Sequence, residues 1–286
     1  MRKNRFLYAF LSAFLFGLST PLSKIMLSEV PPVLLGGMLY FGSGAGLAFV
    51  SLFGLRKKKR FDAADLKWLI LSIICGGIIA PVVLLFGLNH TYSGTSSLLL
   101  NFEAVATTVI AVLFFKEKAN KKIFLSLFLI TVACIILTVN FSEKIAFNSW
   151  SLLIVLACLM WGMDNNFSKK MSENDPVTIV MIKGISAGAV NIILSLIFEK
   201  PTIQTSYIAF SAIIGFFCYG VSIVLFILSL RSIGTSRTSM IFSSAPFFGA
   251  LVSFVVFRTW PDTIFVLAFS ILAFGILILQ KADFQK

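Results

Sequence analysis

Apolar residues in this chain neither alternate with polar ones nor keep to one helical face. They run on for whole helix lengths at a time. Ten such runs, near 5–27, 32–55, 68–88, 95–115, 123–141, 149–169, 177–198, 205–230, 237–257 and 262–281, are long enough to cross a bilayer as helices, which takes roughly 20 residues each. Strands of a membrane barrel alternate and are about half that length, so a barrel is excluded. The connectors are short and leave no room for an extramembrane catalytic domain. No G-x-x-x-x-G-K-[ST] phosphate loop occurs, so transport driven by the chain's own ATP hydrolysis is not expected.

Composition agrees with the pattern. Of 286 residues 58% are hydrophobic and 13% charged, with a mean hydropathy of +0.97. A soluble domain carries about 25% charged residues, so the expectation is an all-α integral membrane protein in contact with lipid on most sides. The start, Met1 to Arg5 and then a long apolar run, superficially resembles a signal peptide. The apolar stretch is too long for one and is followed by no clear small-residue cleavage site, so it is expected to persist as the first helix.

The net charge of +12 does not point to nucleic acid, because of where the charges fall. With the N-terminus cytoplasmic, one side collects Arg2, Lys3, Arg5, Arg56 to Arg60, Lys67, Lys116, Lys118, Lys121, Lys122, Lys169, Lys170, Arg231, Arg237, Lys281 and Lys286. The other holds Lys144, Lys200 and Arg258. This is the positive-inside asymmetry of short membrane loops, and it puts both termini in the cytoplasm of a multi-pass cell-membrane protein. Cys75, Cys134, Cys158 and Cys218 all fall inside spans with no Cys-x-x-Cys pair, so neither a metal nor a disulfide is expected. No cofactor is expected either.

The chain repeats itself. Phe16-Gly-Leu-Ser-Thr-Pro-Leu-Ser-Lys-Ile-Met26 aligns with Trp161-Gly-Met-Asp-Asn-Asn-Phe-Ser-Lys-Lys-Met171, and Gly94-Thr-Ser96 is echoed by Gly234-Thr-Ser236. Halves of 1–145 and 146–286 would each hold five spans. An odd number per half makes equivalent helices point in opposite directions, which gives two inverted five-helix repeats. Secondary transporters are built this way, with the site near the midplane between the halves.

Thr91-Tyr-Ser-Gly-Thr-Ser-Ser-Leu-Leu-Leu-Asn-Phe-Glu-Ala-Val105 followed by Leu113-Phe-Phe-Lys-Glu117 resembles the ten-helix, EamA-type members of the drug/metabolite transporter superfamily, and the resemblance covers nearly the whole chain. Members typically carry a Glu-Pro pair in the fourth helix and in its repeat partner. Here the pair is split: Glu103-Ala104 keeps the acid and Ala245-Pro246 keeps the proline. The resemblance implies transport of metabolites or drugs, often export.

Glu103 is the leading site candidate. It interrupts the apolar run Leu98 to Phe115, and a charge at the bilayer centre costs roughly 2.5 to 3.5 kcal/mol on insertion scales. Two readings stay open: a structural carboxyl bonded between helices, or a group in a solute pathway. Thr107, one turn on, shares its face; Asn101, two residues away, does not. In the sixth span Trp161, Asp164, Asn165 and Ser168 stand at helical spacing and should turn inward together, since lipid cannot satisfy them. Lys183 lies at a similar depth on the next span and could pair with Asp164, as a gate or structural ion pair. Trp161 could stack on a cation or simply pack. Tyr40 and Tyr219 are mid-span phenols able to line a cavity, and Pro21, Pro81 and Pro246 interrupt spans as helix breaks or kinks.

The expected function is therefore a secondary transporter, not an enzyme. It would move a small polar or amphipathic metabolite by alternating access, as an exporter in which Glu103 either carries a coupling proton or binds a cationic group, and act as a monomer or weak homodimer. The alternatives are a membrane-embedded enzyme on a lipid-linked substrate, which would need a nucleophile or metal constellation, and a channel.

Overall fold

The computed structural model describes residues 3–52, 63–116, 120–140, 146–171, 174–201, 205–233 and 241–281. Arg2, Arg56 to Arg60, Lys118, Lys144, Arg237, Lys286 and the Gly234-Thr-Ser236 echo lie outside the described residues. Those described form α1 (Lys3–Met26), α2 (Pro32–Ser51), α3 (63–89), α4 (93–115), α5 (Lys121–Thr138), α6 (Ser149–Lys170), α7 (Pro176–Phe198), α8 (205–233), α9 (Ala245–Phe257) and α10 (Thr263–Lys281). A two-residue antiparallel ribbon, β1 (Val139–Asn140) with β2 (Ala146–Phe147), joins α5 to α6. The molecule is an all-α membrane protein whose helices fall on the ten apolar runs. By length and hydropathy alone α1, α2, α3, α4, α7 and α8 qualify as membrane spans. The polar run Asp164-Asn-Asn166 interrupts the apolar sequence of α6.

The two halves share their irregularities. α3 widens into a π-helical segment at Ile73–Ile79 and α8 does the same at Gly215–Val221, 142 residues on. α4 consists of Ser93–Leu99 and Phe102–Phe115, broken by a turn at 100–101, and a turn at 243–244 precedes Ala245–Phe257 in α9. Both helices end on a basic residue in the left-handed region, Lys116 at φ 55° and Arg258 at φ 50°. Contacts mirror each other too: α1 packs on α8 and α9, and α6 packs on α3 and α4, while α2 packs on α7 and α5 on α10.

The matched glycines explain one side of this symmetry. A Cβ on Gly17 would stand 2.9 Å from the Cβ of Phe248 in α9, and one on Gly162 would stand 2.8 Å from the Cβ of Ala106 in α4. Each therefore lets its helix sit directly on the facing backbone. The α2–α7 seam is as close, with Gly44, Gly184 and Gly188 all set against the opposing backbone. One end of it is held by Glu199, whose carboxylate accepts the N–H groups of Val33 and Leu34, both at 3.0 Å, and so caps α2.

The proline expectation needs correction. α1 continues as helix through Pro21. Pro81 lies within α3 directly after the wide turn, and Pro246 lies in the first turn of α9, where a missing N–H costs nothing. The break in α4, by contrast, has no proline at all. Its loosened carbonyls find other partners: the Asn101 side chain donates to Leu98 O at 3.1 Å, and the Cys158 thiol lies 3.7 Å from Leu99 O.

Candidate functional site

The polar residues of α6 meet the irregular parts of α3 and α4. α6 lies against the wide turn of α3 because residue 76 there is glycine, while Gly77 next to it lets α7 approach through Ala187. A Cβ on Gly76 would stand 2.7 Å from the Cβ of Asp164, and its carboxylate would be nearer still. The wide turn also leaves carbonyls without their usual i+4 partners. Gly76 O accepts from the Tyr40 hydroxyl at 2.5 Å and from Trp161 Nε1 at 3.0 Å. Asn191 of α7 donates to Gly77 O and Ile78 O, each at 3.3 Å. Side chains from α2, α6 and α7 thus converge on one turn of α3.

Beside that turn lies a closed charge pair. Lys183 Nζ of α7 donates to Asp164 Oδ2, while Ser72 Oγ at 2.5 Å and Ser168 Oγ at 3.3 Å donate to Oδ1. The two charged side chains keep only 12% and 8% of their surface exposed, so the pair is shielded from solvent and its attraction is little screened.

Glu103 occupies a different wall. It sits in the first turn after the α4 break and is half-buried. Asn165 Nδ2 of α6 donates to Glu103 Oε1 at 2.7 Å and reaches Thr107 Oγ1 at 3.2 Å. Asn165 is exposed, which corrects the expectation that Trp161, Asp164, Asn165 and Ser168 turn inward as one face. Adjacent residues on a helix point about 100° apart. Asp164 accordingly turns toward α3 and α7, and Asn165 toward α4. The buried amide is Asn166, which ties α6 to α4 through Thr107 O at 3.0 Å.

The aromatic candidates gather in the centre of the bundle. Trp161, Tyr40 and Tyr219 are all buried. Phe16, the counterpart of Trp161 in the first half, lies edge-on to Trp161 at 6.5 Å and to Tyr219 at 5.9 Å, and Tyr40 stands 5.5 Å from Tyr219. Trp161 is buried, with its Nε1 engaged by Gly76 O and Phe16 at its edge. Asn101 is buried in the α4 break, away from Glu103, and serves that break. Sequence reasoning missed Ser72, Gly76, Gly77 and Asn191. The Gly76-Gly77 pair within an apolar span was an available signal, as was the lone amide Asn191. All four cysteines are free, and among the described residues no cluster of His, Cys, Asp or Glu could hold a metal ion.

The helices, with mirrored irregularities and a polar knot shared between halves, form a multi-pass membrane protein of two repeats. The chain belongs to the EamA-like transporter family, whose sequence model matches it twice, over residues 5–139 and 148–280. It is 29% identical over 261 residues to an uncharacterized transporter of Methanothermobacter thermautotrophicus, covering 85% of this chain and 76% of that one. It is 27% identical over 240 residues to the uncharacterized transporter YoaV of Bacillus subtilis, covering 80% and 81%. A solved crystal structure superposes with a TM-score of 0.70 over 97% of this chain and 96% of its own, at 15% identity, which speaks for the fold alone.

Proposed function

We propose that this protein is a secondary transporter that exports a small polar or amphipathic metabolite across the cell membrane by alternating access. The halves 1–145 and 146–286 would be the moving parts, both termini cytoplasmic, with proton coupling at Glu103. The observation that carries the reading is the Glu103–Asn165 bond. It joins a carboxylate of the first half to an amide of the second, inside the membrane, with part of each side chain exposed. A contact that spans the moving parts is remade whenever they shift, so a solute or proton that replaces it biases the exchange between states. An intramembrane acid is a functional group by default.

Asp164 and Lys183 have a separate role in this account. The closed pair, fixed by Ser72 and Ser168, holds α6 and α7 to the wide turn of α3 and acts as a gate or structural pair rather than a substrate contact. The export direction follows what the family resemblance implies.

The test is a ligand-stabilisation screen on purified protein, followed by exchange of labelled for unlabelled solute in proteoliposomes. Asn165→Ala should weaken solute affinity without unfolding the protein. Wild-type affinity in Asn165→Ala would remove this contact from the pathway.

A further inference from the structure

The halves also meet in a contact remote from the carboxylate wall. Between α1 and α8, Ser12 Oγ donates to Ser222 O at 2.8 Å and Ser222 Oγ donates to Ser12 O at 2.9 Å. The two hydroxyl oxygens stand 3.5 Å apart, and both residues are fully buried. A hydroxyl of each half thus sits on the main chain of the other. Ser222 is the residue on which the wide turn of α8 ends, and its own N–H donates to Phe217 O.

The repeat carries no second copy of this clasp. The shift of 145 residues that matches α1 to α6 carries Ser12 onto Ala157, and the shift of 142 between the wide turns carries Ser222 onto Ala80. Both alanines are fully buried and neither side chain can donate. The cluster around Asp164 is lopsided in the same way, since Asp164 falls on Ser19 and Ser72 on Ile214. Counted along their helices, Ser12, Ser222, Ser72 and Asp164 all lie nearer the end of the bundle where α1 begins and α6 finishes. Their four counterparts lie nearer the other end. That other end is shut by different contacts, with Ser93 Oγ 2.9 Å from Ser253 Oγ between α4 and α9 and the His90 ring stacked on Trp150.

Resting on the alternating-access reading, we propose that Ser12 and Ser222 are positioning residues for the transport cycle: their clasp latches the end of the bundle where α1 begins, and it parts each time that end opens. When one repeat rocks against the other, a bond between α1 and α8 counts only in states where that seam is closed, and so biases the population toward them. Serine suits a latch that opens inside a membrane. A buried hydroxyl left without a partner is costly. Either serine can instead turn back to the carbonyl four residues earlier on its own helix, Tyr8 O or Cys218 O. Breaking the clasp therefore strands no polar group.

Spin labels on the full chain, its four cysteines replaced by alanine, read the two ends of the α1–α8 seam separately. Leu7→Cys with Leu228→Cys reports the latched end and Ile25→Cys with Phe210→Cys the opposite one, all four positions being exposed. One net hydrogen bond shifts a balance by about two- to tenfold. Ser12→Ala with Ser222→Ala should therefore raise the population with a long Leu7–Leu228 separation at least about threefold, while the Ile25–Phe210 distance shortens. Ala157→Ser with Ala80→Ser, which places the clasp in the α6–α3 seam, should shift the distances the same way. Unchanged distances in the alanine pair, or equal broadening at both ends, would overturn the latch. Should the alanine pair fail to fold, Ser12→Cys with Ser222→Cys gives a second measurement, in proteoliposomes loaded with amines, amino acids and organic acids. Oxidation should join the two cysteines and stop release, and reductant should restore it; no crosslink, or undiminished release after complete crosslinking, overturns the latch. Release that depends on Glu103 but ignores the clasp would sink the latch alone. A single fixed distance in every variant, with no release from wild type, would sink the alternating-access reading itself.

Discussion

Gly76→Ala isolates the contact between α3 and α6. The added Cβ would stand 2.7 Å from the Cβ of Asp164, with the carboxylate even closer. Carbon atoms pack best at about 3.5 to 4.0 Å, so α6 or α3 must move by roughly 0.8 Å or more. A flexible side-chain end could swing aside, but the Asp164 Cβ is fixed to its helix. Overpacking of this kind costs about 1 to 3 kcal/mol. If Asp164 is driven off Lys183, the stranded charge raises the penalty toward about 3 to 5 kcal/mol. The background Asp164→Gly with Lys183→Met removes the obstructing atoms and the orphaned cation together. There Gly76→Ala should be neutral, or stabilising by about 0.5 to 1 kcal/mol as usual for a helical glycine. The coupling between the sites is therefore expected to be about 2 kcal/mol or more, well above the few tenths found for independent positions. Reversible unfolding of the purified protein in SDS measures it, with monodispersity after heating as a second readout. Wild-type stability of Gly76→Ala, or the same penalty in both backgrounds, would show that the carboxylate does not rest on this glycine.

The ion pair predicts that Asp164→Asn with Lys183→Met expresses better than Lys183→Met alone, which leaves a buried acid uncompensated at about 3 to 5 kcal/mol; equal yields on a fluorescence size-exclusion trace would show the residues to be independent. Ala at Gly17 or at Gly162 should each cost about 1 to 3 kcal/mol, because the new Cβ meets the facing helix in both halves, and wild-type stability at either position would deny that close approach. The charge asymmetry predicts that single cysteines at Lys57 and Lys286 are shielded from an impermeant thiol reagent in intact cells, and that cysteines at Lys144 and Lys200 are labelled. Labelling of position 57 from outside would invert the orientation.

Run length and hydropathy made the ten helices readable, because in lipid every backbone group must be satisfied within a span and only long apolar stretches can do so. The irregularities inside them were less visible. The α4 break at 100–101 carries neither proline nor glycine; the local Asn101 side chain and the Cys158 thiol of α6 lie on its carbonyls. The wide turn of α3 likewise depends on Tyr40, Trp161 and Asn191 drawing its carbonyls outward from three different helices. Such features are tertiary, and a single chain read in order does not display them. At the site, counting residues from helix ends could place Asp164 and Lys183 at one depth. It could not say which of the consecutive polar residues in α6 turns toward α3 and which toward α4, because that depends on the rotation of α6 fixed by Gly76 and Gly162.

Proteoliposomes loaded with a defined mixture of amines, amino acids, nucleosides, organic acids and sugars, and subjected to an imposed pH gradient, test the central claim most directly. Mass spectrometry of the outside medium compares wild type, Glu103→Gln and protein-free vesicles over time. The account predicts that at least one compound leaves wild-type vesicles in a saturable, gradient-dependent way, and that Glu103→Gln loses the dependence on the gradient. Release from wild-type vesicles no faster than from empty ones, or full gradient-driven release in Glu103→Gln, would contradict it.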